Sequence, residues 1–243
     1  MSSTALLAVA HGSPDPRAEP VLEALLARLR AERPGLVAAL AYLGNTAPDV
    51  PSAVRSLVAA GARRIVVVPL LLTAAYHARQ DLPTLLHESR HSFPGVVLEQ
   101  TPVLGPHPLL FSLVRRRLVE AGADPSASVV LGAVGTSDSG ANAELADVAA
   151  SMGATIGFAA GQPLIGRVVD DVRARTGRQV VVASYVLAPG TLPDRFAATR
   201  ADLVTRPLGA EQEIVDIVLE RFDATTAASE CQIVRATRLG DRA

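Results

Sequence analysis

Short segments that are almost wholly apolar alternate along this chain with longer segments in which apolar residues recur every three or four positions. The segment IVVVPLLL, residues 65–72, is too uniformly apolar for a strand with one wet face, and its length suits a strand buried on both faces. Residues 18–29 instead place their apolar side chains on one helical face, and Pro34-Gly35 ends that helix. The chain is therefore predicted to alternate buried strands with amphipathic helices.

The first half of the chain contains four such strand and helix units, and the second half repeats the plan. Strands are predicted near residues 6–10, 37–43, 65–72, 96–100, 129–134, 155–159 and 180–187. Helices are predicted near residues 16–33, 51–60, 82–93, 107–121, 142–152 and 164–176, and after Pro193. Right-handed crossovers turn this alternation into parallel sheets with helices on both faces, so the predicted fold class is α/β.

Sequence echoes between the halves indicate an internal duplication. GARRIVVV at 61–68 matches TGRQVVVA at 176–183, and VLG at 103–105 matches PLG at 207–209, in the same order. Two similar domains are predicted, residues 1–123 and 124–243, each a four-stranded parallel sheet covered by helices. The tail after Asp223 shows no clear periodicity, and both a closing segment and a disordered tail stay open.

Composition narrows the classes of function. The net charge is −1, which gives no general attraction for nucleic acid or an anionic membrane. The chain has no Lys, which excludes lysine Schiff bases and the P-loop lysine. A single cysteine, Cys231, excludes an intrachain disulfide, and no apolar run reaches the ~20 residues of a membrane helix. A cytoplasmic protein is expected, as a monomer or a homodimer.

Two histidines follow strands that are predicted to be neighbours. The expected strand order is 2-1-3-4, with His11 after the first strand and His77 after the third, where open α/β sheets form their ligand crevice. Neighbouring strands lie about 4.8 Å apart, and two imidazole nitrogens on one ion need be only about 3 Å apart. A divalent metal held by both is therefore the hypothesis. The alternative is that each is a loop histidine with a backbone hydrogen bond.

Two further motifs suggest other chemistry. His87-Glu88-Ser89-Arg90-His91 matches the H-E-x-x-H helix of zinc proteases, but its histidines are predicted on the wet face, with no third ligand nearby. The loop from Gly135 to Gly140 resembles a phosphate-binding loop, but without a lysine it is better interpreted as a degenerate copy of the His11 loop. His107, between two prolines, is expected to be structural.

Four blocks carry a resemblance to a known family: HGSPDPRA at 11–18, VVVPLLLTAAYHARQDLP at 66–83, LGPHP at 104–108 and ASYVLAPGTLPDR at 183–195. In this order they resemble the two-domain sirohydrochlorin chelatases, which are similar to the class II, ATP-independent chelatases. The resemblance implies two like α/β domains with the tetrapyrrole sirohydrochlorin between them. It also implies a lyase that inserts Co²⁺ or Fe²⁺, or Ni²⁺ in some members, for cobalamin or siroheme synthesis. The divalent metal is a substrate, and no organic cofactor is expected.

The resemblance also implies roles for particular residues. The family's metal-binding histidines map onto His11 and His77, which are expected to bind the ion and accept protons, whereas Val134 or Gly135 stands at the equivalent place in the second half. Arginines are expected to bind the carboxylates of the tetrapyrrole by forked hydrogen bonds. The candidates are Arg79 and Arg195, with Arg17 a weaker one, and Ser13 beside the backbone of Gly12 is a further carboxylate-binding candidate.

One position departs from the family pattern. Relatives usually carry a carboxylate in the loop after the second strand, where this chain has Gly44 or Asn45. A non-catalytic tetrapyrrole or metal carrier of the same fold is therefore the second hypothesis.

Overall fold

The computed structural model describes residues 3–44, 46–74 and 77–240. Its strands are β1 Ser3–Ala10, β2 Val37–Tyr42, β3 Ala62–Pro69, β4 Val97–Gln100, β5 Ser128–Ala133, β6 Thr155–Phe158, β7 Val180–Ser184 and β8 Leu203–Val204. Its helices are α1 Ala18–Glu32, α2 Val50–Ala59, α3 Leu82–Ser92, α4 Pro108–Glu120, α5 Ser139–Ser151, α6 Ile165–Thr176, α7 Asp194–Ala197 and α8 Gln212–Gly240. A π-helical turn, His77–Asp81, directly precedes α3.

The strands form two parallel sheets of four, in the orders β2-β1-β3-β4 and β6-β5-β7-β8. The predicted α/β class, the strand order and the repetition of one plan in both halves are confirmed. The first and third strands of each half are direct neighbours, with Val9 beside Pro69 and Gly132 beside Ser184. The loops that follow these strands therefore start side by side at the carboxyl edge of each sheet.

The structure corrects the predicted end of the central strand. β3 ends at Pro69, and Leu70 to Ala74 are irregular instead of extending the strand to residue 72. Two hydrogen bonds still hold the start of this segment: Leu70 N–H donates to Val9 O and Leu104 N–H donates to Leu71 O. The sequence placed the end of the strand too late because Leu70 is still buried, so its apolar character does not distinguish it from a residue of the strand.

For the tail after Asp223 the sequence left both a closing segment and a disordered tail open. Residues after Asp223 continue the helix α8, whose backbone is helical as far as Gly240. The described side chains of α8 bury one apolar face, formed by Ile214, Val215, Ile217, Val218, Leu219 and Phe222. This face packs against α1, α4 and β3 of the first half and joins one hydrophobic cluster with both sheets. The division into 1–123 and 124–243 stays a prediction, and α8 is the element that crosses it.

Polar contacts reinforce this junction. Arg117 on α4 is only 2% exposed, and its guanidinium contacts Glu120 at 2.7 Å and Glu211 at 2.6 Å. It also donates to the carbonyl oxygens of Pro207 and Leu208. A buried arginine needs this full set of acceptors, because an unpaired buried charge is costly. The segment before α8 is thereby fixed to the first half.

No helix in the described ranges is long and apolar enough to cross a membrane.

Candidate functional site

His11 lies directly after β1, at the carboxyl edge of the first sheet, with an exposed side chain. Its Nδ1 lies 3.0 Å from the carbonyl oxygen of Gly12. A carbonyl only accepts, so Nδ1 carries the hydrogen and Nε2 is the nitrogen that can coordinate an ion. Metal-binding histidines commonly donate their other ring N–H to a backbone carbonyl, which fixes tautomer and orientation. The hydrogen bond to a backbone carbonyl therefore fits both hypotheses, that His11 is a loop histidine and that it is a metal ligand.

The backbone at Gly12 explains why the loop takes this shape. Gly12 has φ +87°, and a Cβ there would lie 1.8 Å from the carbonyl oxygen of Gly44. Only glycine fits such a conformation and such an approach. Gly44 N–H in turn donates to His11 O at 3.2 Å, so the loop after β1 is tied to the loop after β2.

Thr46 holds the next residue of the loop. Ser13 N–H donates to Thr46 Oγ1, and the same hydroxyl donates to Ser13 O, both at 3.2 Å. The Ser13 hydroxyl accepts from Asp15 N–H at 3.1 Å. Because α1 begins only at Ala18, Ser13 lies in the loop and not in the first turn of the helix. Its predicted carboxylate binding stays a prediction, and Thr46 is a site residue that sequence reasoning missed.

His77 opens the π-helical turn that follows the β3 loop. Its side chain, like Ala75 and Tyr76, lies outside the described part of the chain, so the predicted meeting with His11 stays a prediction. The backbone of this turn is anchored by Gln100 at the end of β4, whose side-chain amide donates to Ala78 O at 2.9 Å. Among the described residues, no three His, Cys, Asp or Glu side chains are grouped to hold a metal.

The second half repeats the His11 loop without its imidazole. Gly135 has φ +85°, and a Cβ there would lie 1.9 Å from Ala160 O, as for Gly12 and Gly44. Ala160 N–H donates to Val134 O, which places Val134 at the position equivalent to His11. The side-chain amide of Asn142 accepts from Thr136 N–H and donates to Thr136 O, the two bonds that Thr46 makes to Ser13.

This geometry also argues against a phosphate-binding loop at 135–140. The Asp138 carboxylate accepts from the backbone N–H groups of Gly140 and Ala141, at 2.9 and 3.1 Å. These are the first donors of α5, and phosphate-binding loops present such donors to their ligand. A carboxylate already occupies them, so the degenerate-copy interpretation accounts for this segment.

Two ion pairs join the halves beside these loops. Arg17 contacts Asp194 at 2.6 Å, and Arg79 contacts Asp138 at 3.4 Å. In the first pair, the arginine follows the first strand of the first half and the aspartate follows the third strand of the second half. In the second pair, the arginine follows the third strand of the first half and the aspartate follows the first strand of the second half. Arg17 also forms hydrogen bonds with Asp15, which lower the pKa of that carboxyl to about 2.

The predicted substrate arginines differ in what they contact. Arg79 is exposed, and its contact with Asp138 is long, so its guanidinium is available for exchange with another carboxylate. Arg195 is exposed too, but its Nη1 donates to Ala159 O at 2.8 Å within its own half. Substrate binding by either residue stays a prediction, and the geometry favours Arg79.

Tyr185 is a second residue that the sequence did not single out. It lies just after β7, 2% exposed, and burial raises the pKa of its hydroxyl. Within the described residues this hydroxyl has no hydrogen-bond partner. A Cβ added to Gly105 would lie 2.7 Å from it and 2.5 Å from Leu72 O, so the ring of Tyr185 packs close to the segment that leads to His77.

This chain is similar to known proteins in sequence and in structure. A family model described as CbiX matches residues 5–121, the part that contains both His11 and His77. A sirohydrochlorin cobaltochelatase of Priestia megaterium is 26% identical over 211 residues, which cover 79% of this chain and 66% of that relative. A sirohydrochlorin ferrochelatase of the same organism is 25% identical, covering 83% of this chain and 79% of that relative.

A solved structure shares the fold along nearly the whole chain. SirB from Bacillus subtilis with Fe³⁺ superposes with a TM-score of 0.82 and 24% identity. The superposition covers 96% of this chain and 98% of that one. The likeness therefore includes the second half and α8, which the family model does not reach.

Proposed function

We propose that this chain is a sirohydrochlorin chelatase that inserts a divalent metal ion, Co²⁺ or Fe²⁺, into sirohydrochlorin without ATP. Its similarity to the CbiX family model and to a cobaltochelatase and a ferrochelatase supports this proposal. The observation that carries the proposal is His11 at the carboxyl end of β1. Its tautomer is set by Gly12 O, and it stands next to the strand whose loop leads to His77. Such a pair is the minimum needed to deliver an ion to a macrocycle above it.

His11 and His77 are the proposed ligands of the incoming ion. Neutral imidazoles bind cobalt, iron and nickel without adding negative charge, so the ion remains attractive to the ring nitrogens. Two protein ligands leave the remaining coordination positions to water, which the ring nitrogens displace in turn. Because Nδ1 of His11 donates to Gly12 O, Nε2 is its ring nitrogen that can bind the ion.

Metallation also requires proton transfer. The free ring holds two pyrrolic N–H groups, and both protons leave as the metal forms its bonds to the ring nitrogens. An imidazole whose Nε2 has released the ion becomes a base within reach of such a proton. His11 and His77 therefore serve first as ligands and then as proton acceptors, and the reaction releases two protons for each ion inserted.

The acidic edge of the tetrapyrrole is proposed to exchange with the ion pairs between the halves. Arg79 binds a substrate carboxylate by releasing Asp138, and Arg17 and Ser13 lie in the loop on the other side. Arginine suits this role because its planar fork matches a carboxylate. Arg195 contributes less, since its guanidinium is bonded to Ala159 O.

The metal and the setting belong to the proposal as well. The cobaltochelatase and the ferrochelatase relatives are almost equally similar to this chain, and a two-histidine site accepts Co²⁺, Fe²⁺ and Ni²⁺ alike. We propose that no organic cofactor takes part, because neutral imidazoles supply both ligation and proton uptake. The cytoplasm is the proposed compartment, in keeping with a single cysteine.

A second candidate function is a tetrapyrrole or metal carrier without turnover. It is favoured by the loop after β2, where the family pattern usually has a carboxylate and this chain has Gly44, whose backbone is packed against Gly12. Asn45, the other residue at that position, lies outside the described residues. A carboxylate absent from this loop leaves one proton acceptor fewer beside the ring.

The test is an anaerobic assay of sirohydrochlorin with Co²⁺, Fe²⁺ and Ni²⁺, followed by the absorbance of the ring. We expect metallation by the wild type and loss of it in both His11→Ala and His77→Ala. Val134→Ala, a truncation at the equivalent position of the second half, is the matched control and retains the rate. Binding of the ring without metallation by the wild type would support the carrier instead, and full turnover in both histidine variants would refute the proposed ligands.

A further inference from the structure

Two of the five histidines of the chain lie together on α3, away from the cleft. His87 and His91 are exposed, four residues apart, and their ring centroids are 4.5 Å apart with an interplanar angle of 69°. Residues four apart on a helix share one face, and two histidines at this spacing are the arrangement by which H-E-x-x-H helices bind zinc.

The hydrogen bonding of His91 prepares it for coordination. Its Nδ1 lies 2.9 Å from His87 O, and because a carbonyl only accepts, Nδ1–H is the donor. Nε2 is then the ring nitrogen that can bind an ion. The same donation to a backbone carbonyl fixes metal-binding histidines in other proteins. It is also the arrangement found here at His11, which donates to Gly12 O.

The rest of α3 leaves this face to solvent. Its buried side is formed by Leu82, Leu86 and Ser89, and both histidines are exposed, as the sequence pattern predicted for them. Arg90, which precedes His91 in the sequence, is bonded to Leu98 O at 2.7 Å and so is directed towards β4. His91 also lies in the last turn of the helix, where the partial negative charge of the carbonyl groups favours a cation.

We infer that His87 and His91 form a second metal site, which binds one late first-row divalent ion such as Ni²⁺, Zn²⁺ or Cu²⁺ at the surface of α3. Two nitrogens on a tetrahedral ion at bond lengths near 2.1 Å are about 3.4 Å apart, a separation that rotation of the exposed His87 ring provides. Water completes the coordination. Imidazole ligands select these ions over Mg²⁺ and Ca²⁺, which prefer oxygen.

This site is separate from the proposed cleft site and does not depend on it. At 1.5 Å per residue, His87 and His91 lie about 7.5 and 13.5 Å along the helix from its first residue. His77 is on the other side of that first residue, in the π-helical turn. Glu88 points about 100° around the helix from His87 and is not one of the ligands. The H-E-x-x-H motif therefore holds an ion without the chemistry of a protease.

The decisive experiment titrates Ni²⁺ calorimetrically into the full-length His11→Ala/His77→Ala variant, which removes the cleft histidines and leaves α3 unchanged. We expect one ion per chain. Adding either His87→Ala or His91→Ala weakens this binding at least about tenfold, since even the loss of a partner that only orients a ligand costs about 10–100-fold. Adding Glu88→Gln, the matched control on the same helix, leaves it unchanged.

Unchanged Ni²⁺ binding after both α3 histidines are replaced would overturn the inference, as would an equal loss in Glu88→Gln. A second measurement uses the wild type, so that folding of the double variant is not at issue. Ni²⁺ is expected to raise its thermal midpoint more than that of His91→Gln, because an ion that binds only the folded helix stabilises it. Equal shifts in both proteins would contradict the site. Neither result depends on whether sirohydrochlorin is metallated.

Discussion

The loops after β1 and β5 have nearly the same backbone and opposite chemistry. Both turn through a glycine with positive φ that lies against a carbonyl oxygen of the next loop, and both have the following residue held by two hydrogen bonds from a polar side chain. One carries His11 and the other carries Val134 at the equivalent position. The duplication thus kept the constraints of folding in both copies, whereas the proposed ligand is found in only one of them.

The largest effects are expected from replacing Gly12 and Gly135, and these replacements distinguish a loss of stability from a loss of activity. Gly12→Ala and Gly135→Ala each force a Cβ against a carbonyl oxygen at under 2 Å with φ near +86°, and each should destabilise the fold by at least about 2 kcal/mol. Only Gly12→Ala should abolish metallation beyond what its loss of stability explains. Denaturant unfolding and the ring-absorbance assay on both variants measure this.

Equal loss of metallation in the two variants at equal stability would contradict the assignment of the site to the first half. Ser13→Ala serves as the control in the same loop. It removes the acceptor for Asp15 N–H and the proposed contact with a substrate carboxylate, and it leaves the glycine conformation as it is. Its rate at saturating substrate should stay close to that of the wild type.

Sequence patterns predicted the features of the two halves that depend on local periodicity. Alternating apolar segments were enough for the strand order, because right-handed crossovers leave few arrangements. The repeated plan left Val134 and Gly135 as alternatives at the position of His11, and the hydrogen bond from Ala160 N–H to Val134 O selects Val134. These features rest on interactions close in sequence or on general rules of topology.

What the sequence did not reveal depends on contacts between distant residues. Thr46 lies 33 positions from Ser13, and nothing in the sequence around Thr46 indicates that it holds Ser13 in place. The helix α8 was not predicted, because its apolar face at residues 214–222 is completed by α1 and α4, which no local window includes. The π-helical turn at His77–Asp81 has no composition that distinguishes it from the start of α3.

An intermediate effect is expected for the two candidate arginines. Arg79→Ala should raise KM for sirohydrochlorin about tenfold, because a charge-assisted hydrogen bond contributes about 1.5–3 kcal/mol. Arg195→Ala should raise it only about two- to threefold, since that guanidinium already donates to Ala159 O. Steady-state kinetics that separate KM from kcat test this order.

Asp138→Asn sharpens the same comparison. Asparagine keeps the side-chain oxygen that caps α5 but removes the charge that pairs with Arg79. If Arg79 must leave Asp138 to bind a substrate carboxylate, this variant should lower KM or leave it unchanged. A higher KM would mean that the ion pair itself positions the loop.

The smallest expected effect concerns acid. Hydrogen bonds from Arg17 hold the pKa of Asp15 at about 2 in the folded protein, against an ordinary value of 3.8. The folded value is lower, so this carboxylate contributes its full stabilisation above about pH 4, and the contribution disappears as the pH falls towards 2. Asp15→Asn should therefore flatten the dependence of unfolding free energy on pH within that window, and added salt should do so in part, because the Arg17 side chain is half exposed. Urea unfolding measured from pH 5 to pH 2 reports both changes. An unaltered slope in Asp15→Asn would show that the Asp15 carboxylate does not stabilise the His11 loop, and that Asp194 of the second half alone holds Arg17.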